Sequence, residues 1–183
     1  MNPRTRPYLL YVGNVKPHKN LRRLIEAFQW IADEIPHDLV IVGQKSGFIT
    51  GDDAVISAAA ADSRIHFTGH VHETTLQQYM VHATAMVFPS LYEGFGLPPL
   101  EAMACGCPVL ASDAASIPEV CGEAVCYFNP HSTESLVFQL RRVITDQTLQ
   151  QELSAKGLRH SRIYSWDQAA KRIVSMIQTN FPH

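Results

Sequence analysis

Tyr8-Leu-Leu-Tyr-Val-Gly13 and Leu39-Val-Ile-Val-Gly43 decide the fold. Each is an apolar run without polar alternation, stopped by a glycine. A strand with one wet face alternates, whereas an unbroken apolar run fits a strand covered on both faces, as in a parallel sheet between helices. Between the two runs, Leu21, Leu24, Ile25, Phe28 and Ile31 recur at helical spacing, with Asn20 as a candidate N-cap. Strand, helix and strand in that order make a right-handed crossover unit.

The same grammar continues outward. A looser stretch with Gly47 and Gly51 leads to an expected helix around Ala54–Ala61. Ile65-His-Phe67 is a third strand ending at Gly69, followed by a helix from about Thr74 to His82 and a fourth strand, Ala85–Phe88. Gly94 and Gly96 open a helix from about Pro98 to Ala104. Val109–Ala111 and Val125–Phe128 supply two more strands. Beyond Thr133 the pattern is helical, over Leu136–Ile144, Gln147–His160 and Trp166–Thr179, with Gly157 and Ser165 as punctuation. Strands alternating with helices predict a single α/β domain over residues 1–183, a Rossmann-like, doubly wound parallel sheet with its last helices from about 133.

Composition agrees with that reading. A chain of 183 residues, 46% hydrophobic and 17% charged, can bury one substantial core. A net charge of −2 argues against a nucleic-acid partner, which calls for a basic excess. No apolar run approaches the about 20 residues of a membrane span, and Met1–Pro7 lacks a signal core, so a cytoplasmic location is expected. A domain this large needs no disulfide staples, and the spacing of Cys105, Cys107, Cys121 and Cys126 matches no familiar zinc site, which leaves buried reduced thiols. His70 and His72 have no third ligand near them in sequence and read as loop histidines, so no metal site is expected.

In a doubly wound sheet, ligands bind beyond the carboxyl ends of the strands, in the loops that enter helices. Gly13-Asn-Val-Lys-Pro-His-Lys-Asn20 sets Lys16, His18, Lys19, Arg22 and Arg23 at a helix N-terminus, the electropositive end. A bound anion resolves that conflict; a screened, solvated basic loop is the alternative. In Glu93-Gly-Phe-Gly-Leu-Pro-Pro-Leu-Glu101 the glycines admit a ligand to the backbone amides, and Pro98 and Pro99 suit a first helical turn. Two acids there can grip sugar hydroxyls on either side of a diphosphate. Equally, Glu101 can cap its own helix while Glu93 stands in solvent. Gly69-His-Val71, after the third strand, offers backbone to a nucleobase or is a plain connection.

The segment Glu93–Glu101, with its internal Gly-Phe-Gly-Leu-Pro, resembles the Glu-x7-Glu signature of glycosyltransferase family 4, which has the two-domain GT-B fold. Gly13–Asn20 is similar to the phosphate loop that opens the second domain of these enzymes. The likeness runs on through Ile117-Pro-Glu-Val120 to Tyr164-Ser-Trp166. It implies a donor-binding domain, the C-terminal half of a retaining hexosyltransferase. By resemblance, Lys19 and Glu93 are the catalytic pair: Lys19 binds the donor diphosphate, and Glu93 holds the donor sugar. Glu101 takes the ribose hydroxyls, and Val71 meets the base. Gly13, Asn14 and the amides of Gly94, Phe95, Gly96 and Leu97 complete the cradle. Many members carry arginine where this chain has Asn14, which leaves one fewer cation unless Lys16 or Lys45 reaches in.

The resemblance also implies that metal and cofactor are dispensable. It favours GDP-mannose as donor, with UDP-sugars as alternatives, in polysaccharide or glycolipid synthesis. It assigns acceptor binding to an N-terminal Rossmann-like domain not contained in residues 1–183. That half would hold the enzyme at the inner membrane, and the isolated chain would not transfer sugar. The final helix packs towards the other half in such enzymes, so part of its surface is expected to lie bare. Two other readings stand beside this one: a nucleotide-sugar epimerase on the same fold, and a non-catalytic nucleotide-binding module or partner subunit.

Overall fold

The structure, a computed structural model, describes residues 3–43, 57, 59 and 61–180. The expected strands form at the predicted places: β1 (Tyr8–Val12), β2 (Asp38–Val42), β3 (Ile65–Gly69), β4 (Ala85–Phe88), β5 (Val109–Ser112) and β6 (Cys126–Phe128). They make one six-stranded sheet in the order β3-β2-β1-β4-β5-β6, and every strand pair is parallel. Among the fully described segments, seven α-helices accompany them: α1 (Leu21–Ile31), α2 (Glu73–His82), α3 (Leu97–Ala104), α4 (Ile117–Cys121), α5 (Thr133–Thr145), α6 (Gln147–Ser161) and α7 (Trp166–Asn180). Most of the helix expected at Ala54–Ala61 lies outside the described residues, as does Lys45.

The two core layers explain the unbroken apolar runs. Leu9, Tyr11, Leu39, Ile41 and Val87 point to one face and pack with Leu24 and Phe28 of α1 and Leu136 and Leu140 of α5. Their neighbours Tyr8, Leu10, Val40, Val42, Met86 and Phe88 point to the other, against Met80 of α2 and Leu100 and Met103 of α3. Each strand therefore needs apolar residues at both parities. Every such side chain contributes roughly 1.5–3 kcal/mol by leaving water.

Two sequence expectations change, and one segment is newly placed. Asn20 stands at the N-cap position of α1 but in the left-handed region (φ 54°), and its side chain makes no capping bond. Its amide is drawn instead to two distant carbonyls. Gly157 does not interrupt a helix; it lies inside α6, where a Cβ would meet Met103 Cγ at 3.1 Å, so the glycine allows α3 and α6 to pack closely. The segment Ile117–Cys121 forms the short helix α4, with proline in its first turn. The four cysteines are free thiols: Cys107 and Cys121 are buried, whereas Cys105 and Cys126 are half-buried. Burial pushes the Cys107 and Cys121 thiols up to about 12. His72 caps α2, accepting from the Thr74 amide.

Candidate functional site at the switch point of the sheet

The chain runs from β1 outward through β2 to β3, then returns to the other side of β1 for β4. The loops after β1 and β4 therefore part in opposite directions and leave a crevice between them. Both sequence loops singled out above flank that crevice. A 3-10 turn at Pro17–Lys19 carries Lys19 towards it from the β1 side. From the β4 side comes Glu93, and the two meet: Lys19 Nζ donates to Glu93 Oε1 at 2.6 Å. Seventy-four residues separate them in sequence. Both side chains are largely shielded, at 19% and 13% exposure, so this is no flexible surface pair. The ammonium also lies 5.7 Å from the centre of the Phe88 ring.

Next to this pair the backbone supplies donors. The N–H groups of Gly94, Phe95, Gly96 and Leu97 make no hydrogen bond to any described residue. Gly96 adopts φ 95°, which glycine tolerates and which turns the chain into α3. Pro98 and Pro99 follow in the first turn, so the donors left at this helix end are the loop amides themselves. A cation and four such amides beside a helix N-terminus can cradle an anion.

Glu101 sits just past the first turn of α3 and is exposed, and α3 has no side-chain cap, so Glu101 does not serve its own helix. Partial burial, and then the charge of Glu73 at the start of α2, raise its carboxyl above the usual range. A hydrogen-bonding ligand would relieve such a carboxylate better than the surrounding protein does. Val71 is half-buried against the α2–α3 face of the core, at the end of β3. Gly13 lies at the end of β1, its N–H donating to Val42 O at 2.9 Å. Asn14 and Gly94 are exposed at the crevice loops, and Phe95 stacks edge-on to Tyr164 with ring centres 5.6 Å apart. Lys16 forms no ion pair among the described residues.

Several contributors had no local signal in the sequence. Tyr11, read as core, lies beneath the first loop, its hydroxyl donating to Asn14 O at 3.2 Å. Burial and then Glu93 push its phenol above the ordinary range and keep it a donor. Ser116 Oγ donates to Glu93 O at 2.8 Å and Ser112 Oγ to Ser90 O at 2.5 Å, so the β5 side pins the loop after β4. The Leu91 amide donates to His18 O at 2.8 Å and joins the two loops directly. Among the described residues, no three His, Cys, Asp or Glu side chains gather as metal ligands, and no helix is long and apolar enough to cross a membrane.

A doubly wound parallel sheet with this strand order defines a Rossmann-like domain. The family description "Glycosyl transferases group 1" matches residues 2–160, and this chain belongs to that family. It is 31% identical over 173 residues to the O-antigen chain mannosyltransferase B of Escherichia coli, covering 92% of this chain and 45% of that protein. Thus the chain spans less than half the length of that relative. Sucrose-phosphate synthase from Thermosynechococcus elongatus superposes with a TM-score of 0.85 at 25% identity, over 97% of this chain and 46% of that one. The C-terminal domain of a group 1 glycosyltransferase (LpcC) from Francisella tularensis gives a TM-score of 0.75 at 22% identity, over 85% of each chain. The expected Rossmann-like sheet of GT-B glycosyltransferases is the fold observed.

Proposed function

We propose that this chain is the nucleotide-sugar-binding, C-terminal half of a retaining hexosyltransferase of glycosyltransferase family 4. The observation that carries the reading is the meeting of Lys19 and Glu93 at 2.6 Å across the switch point, beside four amides that donate to no described residue. In this reading the donor diphosphate displaces Glu93 from Lys19. The ammonium and the Gly94–Leu97 amides then take the phosphate oxygens and stabilise the charge that develops on the leaving group. They supply the positive potential in place of a metal. Glu93, released, accepts from hydroxyls of the donor sugar and orients its anomeric carbon. Glu101 accepts from the ribose hydroxyls, and the backbone at Val71 meets the base, while Gly13 and Asn14 border the phosphates.

Retention of anomeric configuration follows here from reaction on one face, with the departing phosphate accepting the acceptor's proton. The carboxylates are donor contacts, not the nucleophile and acid of a glycosidase. GDP-mannose is the donor we favour, supported by the mannosyltransferase relative, in polysaccharide or glycolipid synthesis at the cytoplasmic face of a membrane. A second Rossmann-like half supplies the acceptor site and the membrane contact. The exposed apolar face of α7 and the fraction of its relatives that the chain spans support that arrangement.

Calorimetric titration of the wild type, Lys19→Ala and Glu101→Ala with GDP, UDP and ADP tests the reading. One nucleotide is expected to bind, and Lys19→Ala to weaken it by about 10- to 100-fold, the loss of one charge-assisted bond. Binding that is indifferent to both substitutions would move the ligand elsewhere. Transfer regained on adding the N-terminal half of a full-length relative would exclude the non-catalytic module; epimerisation of the donor would replace transferase with the other enzyme class.

A further inference from the structure

We infer that Asn20 is a positioning residue that holds Lys19 at the donor phosphates, a role that rests on the reading of Lys19 above. Asn20 joins the 3-10 turn bearing Lys19 to α1, at φ 54° and ψ 31°. Its own N–H donates to Pro17 O at 3.1 Å, and its carbonyl accepts from Arg23 N at 3.1 Å. These bonds close the turn on one side and begin the helix on the other. Its side-chain Nδ2 donates to Pro89 O at 3.0 Å and to Pro130 O at 2.9 Å. Pro89 follows β4 and Pro130 follows β6, so one amide group fastens the loop after β1 to two other strand ends. Lys19 immediately precedes it in the chain, and the loop that Lys19 must reach across to Glu93 is the one that Pro89 begins.

The residue type follows from two requirements met at once. A left-handed backbone favours glycine or asparagine and penalises most others. Two carbonyls facing one side chain require two N–H donors, which asparagine and glutamine carry and aspartate and glycine do not. Only asparagine satisfies both. The substitutions therefore separate the requirements: Asn20→Gly keeps the backbone and loses both donors, and Asn20→Asp sets carboxylate oxygens against the two carbonyls.

The test measures calorimetric affinity for GDP, UDP and ADP and for the matching monophosphates. It compares the wild type with Lys19→Ala, Asn20→Gly, Asn20→Asp and the Lys19→Ala/Asn20→Gly double variant, with thermal melts as a check on folding. Asn20→Gly is expected to weaken the diphosphate by about tenfold, ~1.4 kcal/mol, and to leave the monophosphate unchanged. Asn20→Asp falls at least as far. Because Asn20 acts through Lys19, the double variant binds no more weakly than Lys19→Ala alone. Equal loss of mono- and diphosphate by Asn20→Gly, or additive losses in the double variant, overturns the positioning role while leaving the donor site standing. Diphosphate affinity untouched by Lys19→Ala overturns the donor reading and this inference with it.

Discussion

The loops at the switch point and the final helix α7 are built on opposite principles. Around the crevice almost every strand end is tied to another: Lys19 to Glu93, Asn20 to Pro89 and Pro130, Leu91 to His18 and Ser116 to Glu93. In α7, by contrast, every residue from Trp166 to Thr179 is exposed, Trp166, Ile173, Met176 and Ile177 among them. Its first turn lines a cavity of about 280 Å³ walled by Phe95, Leu100, Tyr164 and Trp166. In the proposed reading, the bonded loops with their idle amides are a site that a small anion completes. An amphipathic helix exposed along its length offers its apolar face to another apolar surface. The predictions below press on that contrast.

The largest effect is expected where the strand ends crowd. Gly13, Gly43 and Gly69 close β1, β2 and β3 side by side, with Gly13 N on Val42 O and Gly43 N on Gly69 O. A Cβ at Gly43 would stand 2.1 Å from Gly13 O, and its φ of 152° also disfavours a side chain. Neither clash has a flexible partner to yield. Gly43→Ala should therefore cost about 3 kcal/mol or more in urea unfolding. Gly94 is the control, since nothing lies within 4 Å of an added Cβ there. Gly94→Ala should unfold like the wild type while weakening nucleotide binding; a stability loss of similar size at both glycines would mean that the loop amides are structural.

The strand-end glycines show what the sequence could and could not reveal. Gly13, Gly43 and Gly69 announced strand ends because each followed an apolar run, and that punctuation located β1, β2 and β3. Nothing local told that they would touch, since contact depends on the crossover order of the sheet. Lys19 and Glu93 were legible as members of two loops, and resemblance gave them roles, but their 2.6 Å pairing is a product of topology. Asn20 was misread for the same reason. A residue preceding a helical pattern scores as a cap, whereas its amide answers to carbonyls 69 and 110 residues away. Gly157 looked like a break because a glycine within a helix is costly, and only the approach of Met103 explains it. Ser112 and Ser116 carried no pattern at all.

A smaller, pH-dependent effect is expected at Glu101. Its carboxyl is raised by partial burial and by Glu73, so the folded state favours the proton more than the unfolded chain does. The stability this gives is fully present below the unfolded value of about 4.3 and is lost as pH rises through the folded value. At neutral pH the charged Glu101 is thus a strain on the fold, which in the proposed reading a bound hydroxyl offsets. Glu101→Gln should melt slightly higher than the wild type at pH 7 and show no advantage at pH 3.5. A lower melting temperature at pH 7 would show that the carboxylate is satisfied within the chain.

The smallest effect is expected from the most drastic change of chemistry. Ile173 and Ile177 are 58% and 55% exposed, one helical turn apart on α7. Replacing both with glutamate should change the unfolding free energy of this chain by no more than about 0.5 kcal/mol, the range for surface positions without partners. Two charges at positions packed inside the chain would cost several times that, so a loss above about 2 kcal/mol would show α7 folded back on its own domain. An unchanged unfolding curve, together with reduced binding of a hydrophobic dye, would place the apolar stripe where a second apolar surface has to meet it. The same glutamates should then reduce the transfer regained with an added N-terminal half, while leaving nucleotide affinity untouched. That dissociation would separate the completed crevice from the face still awaiting its cover.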